Sequence, residues 1–174
     1  MTGALQSAPS SQEKALLYFY FKADPSVQPA FLSEVVHGTE KYAKKLGLSS
    51  QVDTLLSMAH RESGFNPYAD DGLGKRRSLG FYQTREQYRE MLYKFWLDRK
   101  VRLGPWDSVD TQCAFGVAEF WIKLQASKGN VWEAVRRYNG GGVKAREYAA
   151  KVMISRRAIF HRKHRKGEKI GVKK

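Results

Sequence analysis

The sequence predicts an all-α domain, with at most a short β-hairpin over residues 65–83. Two observations carry the prediction. Apolar residues recur three and four apart along most of the chain, the period of a helix face. Helix start signals are also paired with stop signals: Ser50 with Asp53, Thr84 with Gln87 and Asn130 with Glu133 read as capping boxes, and Gly47, Gly64, Gly104-Pro105 and Gly129 read as terminators. At 174 residues, 42% hydrophobic and 13% aromatic, the chain is long and apolar enough for one buried core. Disordered and low-complexity classes are excluded.

Residues 1–14 form a polar lead, and the apolar run 15–21, ended by Lys22, needs a surface to pack on. That run is too short to span a bilayer, which takes about 20 residues. The first residues lack the basic start of a secretory signal. After Pro25 and Pro29, a helix carries Phe31, Val35 or Val36, Tyr42 and Leu46 inward and stops at Gly47. The next helix starts near Ser50 and ends at Gly64, with Pro67 preventing continuation. Val52, Leu55, Leu56 and Ala59 share one face, and Glu62 lies at the edge of that face in the last turn. A carboxylate there is poorly placed for stability. Burial raises its pKa, and the negative end of the helix dipole adds to the shift.

Residues 65–83 hold the turn signals Asn66-Pro67, Asp71-Gly72, Gly74 and Gly80. A helix from Thr84 then presents Tyr88, Met91, Leu92 and Phe95. A long helix from about Asp107 carries Val109, Cys113, Val117, Phe120 and Leu124 inward. A short one follows from Asn130 to Tyr138, then the tight loop 139–142, then a last helix from Val143 to about Phe160 with Tyr148, Val152 and Ile159 on its apolar positions.

Charge is concentrated at the end of the chain. There are 31 Lys and Arg against 17 Asp and Glu, a net +14, of which residues 156–174 hold +8. Such a balance favours a polyanionic partner: nucleic acid, an anionic envelope or an acidic polymer. The single cysteine, Cys113, excludes an internal disulfide framework and a multi-cysteine zinc site.

Three segments carry candidate chemistry: 60–67 around Glu62-Ser63, 78–83 ending in Gly80-Phe81-Tyr82-Gln83, and 137–142 around Tyr138-Asn139-Gly140-Gly141. Their order, with Tyr148 in the following helix and Gly116 in the intervening 110–120 helix, resembles the soluble lytic transglycosylase branch of the lysozyme superfamily over roughly residues 30–155. That family's pattern is Glu-Ser at a helix end, then Gly-Leu-Met-Gln, then Tyr-Asn-x-Gly, then a Tyr. The resemblance implies a lysozyme-like fold of the goose-type and lytic transglycosylase kind, with three parts: an extension over 1–28, a catalytic domain over 29–155 and a basic segment over 156–174. It implies peptidoglycan glycan strands as substrate and cleavage of the MurNAc-GlcNAc β-1,4 bond.

In that scheme Glu62 is first acid and then base, and the product carries a 1,6-anhydro ring, with no metal and no cofactor. The resemblance further assigns Ser63 a hydrogen bond near the acid or the N-acetyl group. Gln83 orients the sugar, Tyr138 and Asn139 shape the subsite, and Tyr148 points its hydroxyl at Glu62. Phe81 and Tyr82 stand where the family has Leu-Met, which implies a more aromatic groove wall. Thr84-Arg85-Glu86 departs from the family's usual apolar residue and proline. Asp70 and Asp71 raise the alternative of a goose-type hydrolytic muramidase, whose loop acids hold a water. Arg85, where that family tends to carry an Asp, argues against it.

Other readings stand beside these. Glu62 can be ion-paired to Arg61 or to the 75–77 cations, the 139–142 loop can be a plain turn, and Tyr148 can be core. Cys113 reads as a buried small hydrophobe rather than an endopeptidase nucleophile, and His161 with His164 as part of a solvated basic segment rather than a metal site. The basic segment can be solvated, can bind nucleic acid, or can bind anionic envelope polymers or lipid headgroups. The third is preferred, and a basic structural or nucleic-acid-binding protein on the same fold is the non-enzymatic rival. The combined expectation is a monomeric enzyme, made in a bacterial host cytoplasm without a signal peptide and acting on the cell wall, as a bacteriophage lysin or a virion-associated enzyme.

Overall fold

The computed structural model describes residues 29–72 and 77–168. The expected 1–28 extension with its apolar run lies outside the described residues, as do Lys75, Arg76 and the side chains of Ile159, His161 and His164. Six α-helices are described: α1 (Pro29–Lys45), α2 (Val52–Ser63), α3 (Arg89–Leu97), α4 (Val109–Ala126), α5 (Val131–Tyr138) and α6 (Gly142–Glu168). Strands β1 (Ser78–Leu79) and β2 (Thr84–Arg85) pair antiparallel, Ser78 opposite Arg85 and Leu79 opposite Thr84. The architecture is therefore all-α with one short hairpin. None of the described helices is long and apolar enough to cross a membrane.

Helix α4 is the axis of the molecule. Every residue from Thr111 to Phe120 is buried, because α1, α2, α3, α5 and β2 all pack on it. A helix enclosed on all sides loses the one-sided pattern of a surface helix. Two close approaches allow the enclosure. At Gly38 on α1, an added Cβ would stand 2.7 Å from Cys113 Sγ, so the two helices cross where α1 has no side chain. At Gly116 the ring of Tyr82 lies against bare backbone, with ring atoms 2.2–2.6 Å from where a Cβ would sit. Trp96 of α3 is wholly buried and donates its indole N–H to the Ala114 carbonyl at 2.9 Å. Burial pushes the Cys113 thiol up to about 12, so it is an inert core residue.

Local start signals are only partly used. Ser108 caps α4 by accepting from the Thr111 N–H, and Asn130 caps α5 by accepting from the Glu133 N–H. Ser50 does not cap α2: residues Ser49–Gln51 form a 3-10 turn and α2 starts without a side-chain cap. Thr84 does not cap α3 either. It is drawn into β2, and a 3-10 turn over Glu86–Tyr88 leads into the helix. The hairpin ladder and the Arg77–Glu86 ion pair at 2.7 Å hold this segment to β1, and these contacts outweigh a local cap. The last helix continues to Glu168, eight residues beyond the expected end, and crosses position 155 without a break.

Candidate active site

Glu62 occupies the last turn of α2, and Gly64 ends the helix in the left-handed conformation at φ 63, donating its N–H to the His60 carbonyl. Phe65 follows at φ 69, unusual for a bulky residue, and its ring is buried beside His60. Two successive left-handed residues turn the chain sharply away from the helix axis. The carboxyl of Glu62 is left at the helix end, against the core.

The loop after β1 is tied to that same end. Gly80, at φ 74, donates to the Ala69 carbonyl at 2.9 Å. A Cβ there would meet the Gln112 side chain, whose amide oxygen accepts from the Phe81 N–H at 3.0 Å. Ser63 donates to the Phe81 carbonyl at 3.0 Å. Tyr138, the last residue of α5, donates to the Tyr82 carbonyl at 2.8 Å. Backbone groups of 80–82 are thus gripped from α2, α4 and α5 together.

The structure brings Glu62, Ser63, Tyr138 and Tyr148 around one corner, and Gln83 stands at the end of the 80–82 segment that Ser63 and Tyr138 hold. Tyr148 of α6 is the hydroxyl neighbour of Glu62, and its buried oxygen stops short of a fully formed hydrogen bond. Ser63 spends its proton on backbone carbonyls, so it positions the 80–82 segment and leaves only lone pairs for a ligand. Gln83, itself at φ 50, donates its amide N–H groups to the carbonyls of Ala69 and Gly80, and its amide oxygen is the atom left for a ligand. Asn139 is exposed as the C-cap of α5.

Phe81 and Tyr82 require a correction. Neither ring forms a groove wall: they are 0% and 1% exposed. Phe81 packs edge-on against Phe31, and Tyr82 reaches through the core to Thr39 Oγ1 at 3.0 Å. The space left by Gly116 admits the Tyr82 ring, and burying two aromatic side chains is worth about 2–3 kcal/mol each.

The ion-paired alternative for Glu62 does not form with Arg61 or Arg77. Arg61 donates to Ser155 on α6 at 3.2 Å, and Arg77 turns to Glu86 and Asp70. Burial pushes the Glu62 carboxyl up to about 7, with Tyr148 pulling it part of the way back. Asp70 and Asp71 close their own loop, accepting from the N–H groups of Gly72 and Ser78 at 2.8 and 2.9 Å.

Glu119 of α4 is a site residue that the sequence reasoning missed. It is 6% exposed, one of its carboxyl oxygens has no hydrogen-bond partner, and it interacts electrostatically with Glu62. Burial pushes it, too, up to about 7. The available signal was a lone acid inside the otherwise apolar stretch 113–120. A separate pocket, lined by Leu79, Arg85, Glu86, Arg89, Trp106 and Phe115 among others, lies on the hairpin and does not include Glu62.

Among known protein families, the one described as Transglycosylase SLT domain matches residues 39–160. Comparison with curated proteins and with solved structures gives no match.

Proposed function

Since the chain belongs to the transglycosylase SLT family, whose lysozyme-like members degrade peptidoglycan by cleaving glycosidic bonds, we propose that it cuts the MurNAc-GlcNAc β-1,4 bond of glycan strands with Glu62 as its acid and then its base. One observation carries this reading. The Glu62 carboxyl, at a helix end, is desolvated until it holds its proton near neutral pH, and among the described residues a tyrosine hydroxyl rather than a cation stands beside it. A cation would hold it ionised, and an ionised carboxylate cannot protonate a leaving group.

The chemistry proceeds in two proton transfers. Glu62 gives its proton to the glycosidic oxygen as the C1–O bond breaks, and the muramoyl N-acetyl oxygen attacks C1. Glu62, now a carboxylate, takes the proton of the muramoyl 6-hydroxyl. That oxygen displaces the acetamido oxygen from C1 and closes the 1,6-anhydro ring. No water is consumed, and Glu62 ends protonated. Between the two steps the Tyr148 hydroxyl stabilises the ionised Glu62, the role that a donor beside a transient carboxylate serves. Gripped by Ser63, Gln112 and Tyr138, the buried backbone of 80–82 is a rigid support for Gln83, whose amide oxygen is left for the sugar.

The lyase product is favoured over hydrolysis because the Asp70 and Asp71 carboxylates are taken up in closing their own loop. The place of action is the bacterial cell wall, where the substrate lies. Mass spectrometry of muropeptides released from purified sacculi is the test. Anhydro ends support the proposal, reducing ends assign a hydrolytic muramidase, and no release together with salt-sensitive nucleic-acid binding assigns the non-enzymatic rival.

A further inference from the structure

With the rings of Phe81 and Tyr82 in the core, neither offers a sugar an aromatic face, but another residue of the site loop does. Tyr68 is the most exposed large apolar residue among those described, at 85%. Its side chain makes no hydrogen bond and no ring contact among the described residues. It stands six residues after Glu62, in the loop that leaves the end of α2. That loop is fastened on both sides of the ring. Before it, Asn66 donates its N–H to the Ser63 carbonyl at 3.1 Å, and Asn66 Oδ1 accepts the Tyr68 N–H at 2.9 Å. The Pro67 carbonyl accepts from Gln112 of α4 at 3.2 Å. After it, the Ala69 carbonyl accepts from the Gly80 N–H at 2.9 Å and from the Gln83 amide at 3.1 Å. The Gln83 side chain is therefore bonded to the residue next to Tyr68. Exposed loop tips are usually the mobile parts of a fold. Here a fixed backbone holds out a bare ring.

We propose that Tyr68 is a substrate-binding residue: its ring is the platform on which a sugar of the glycan strand stacks, beside the Gln83 amide oxygen. The proposal rests on the reading of this site as one that takes glycan. A pyranose sets its hydroxyls around its rim and leaves C–H groups on its faces. An aromatic ring is negative on its face, so those C–H groups settle over it while the rim hydroxyls stay in water. The Gln83 amide oxygen accepts from a rim hydroxyl or from an N-acetyl N–H. A tyrosine has only two side-chain torsions, so little freedom is lost when a sugar covers it. The loop beneath is ordered before the sugar arrives, which lowers the cost of binding further. The left-handed residues Gly64 and Phe65 separate Tyr68 from Glu62 and turn the chain away from the helix axis. Tyr68 thus acts on binding and not on bond breaking, and its contribution falls on KM rather than on kcat.

The test separates affinity from turnover. Chitohexaose, a soluble β-1,4 oligomer of N-acetylglucosamine, is titrated calorimetrically into the full chain carrying Glu62→Gln, alone and combined with Tyr68→Phe, Tyr68→Leu or Tyr68→Ala. Phe keeps the face and should hold the affinity within about twofold, whereas Leu and Ala should each lose about tenfold, the upper worth of an aromatic face contact. Equal affinity in all four proteins, or no binding by the one that keeps Tyr68, overturns the proposal. A loss in Tyr68→Phe as large as in Tyr68→Leu assigns the hydroxyl instead of the face and overturns it as well. All four should unfold at the same urea concentration, because the ring touches nothing. A lower midpoint for Leu and Ala would mean that the ring holds the loop, which also defeats the platform. On soluble glycan strands, Tyr68→Leu in the otherwise unchanged chain should raise KM about tenfold and leave kcat in place. Ring-dependent binding without glycan cleavage by the wild type defeats the enzymatic reading and leaves the platform standing. Cleavage with ring-independent binding does the reverse.

Discussion

Replacing Glu62 by Gln should abolish lytic activity and, at alkaline pH, make the protein more stable. Burial raises the Glu62 carboxyl from 4.5 to about 7 in the folded state. A raised acid binds its proton more tightly when folded than when unfolded. Its ionisation therefore costs folding energy: the cost is absent below about pH 4.5, grows between 4.5 and 7, and is complete above 7. The interval of about 2.5 units corresponds to about 3 kcal/mol, at about 1.4 kcal/mol per unit. Glutamine keeps the shape and removes the charge. Glu62→Gln should thus match the wild type at pH 4 and exceed it by about 3 kcal/mol at pH 9. For a domain of this size that is a rise in Tm of about 8 °C. Urea unfolding followed by circular dichroism across pH 4–9, beside a turbidity assay on sacculi, reads both effects. Equal stabilities at pH 9 would refute the desolvation argument, and retained clearing activity would refute the catalytic one.

Tyr148→Phe removes the donor that lowers the Glu62 pKa, so the alkaline limb of the pH profile should move upward while kcat falls about tenfold, the worth of one charge-assisted hydrogen bond; a limb that stays in place or moves down would contradict the assigned contact. Gly116→Ala places a methyl group inside the Tyr82 ring and should cost about 3 kcal/mol in urea unfolding; wild-type stability would mean that the ring has room to withdraw. The basic segment is best tested by a cut after Ala158, which still packs against the core, rather than after residue 155. Removal of 159–174 should weaken sedimentation with sacculi more than turnover of soluble glycan fragments, and an equal loss of both would assign those residues to the catalytic fold.

The helices were legible because each is written locally. The left-handed Gly64 and the stop after it can be read within a few residues, and they place Glu62 in a last turn without any knowledge of its neighbours. The Asn130 cap is equally local. Thr84 shows the limit. It has the residue type and spacing of a cap, yet it pairs with Leu79 in the hairpin, whose neighbouring residues Arg77 and Glu86 are joined by an ion pair. Phe81 and Tyr82 show it more sharply. An exposed aromatic wall and a buried pair of rings look the same in sequence, and only the empty space at Gly116, 34 residues beyond Tyr82, decides between them.

By itself, the sequence determined an all-α chain, a glutamate at a helix end and a family resemblance from four short motifs. These depend on periodicity, capping residues and order, which are properties of neighbouring residues. Tertiary structure decided what surrounds that glutamate. It turned Arg61 and Arg77 to other partners, brought the Tyr148 hydroxyl from α6 and set Glu119 of α4 across from the acid. The state of the Glu62 proton depends on desolvation by the elements packed around it and on the Tyr148 hydroxyl brought in from α6. Such a property exists only once those elements have packed together.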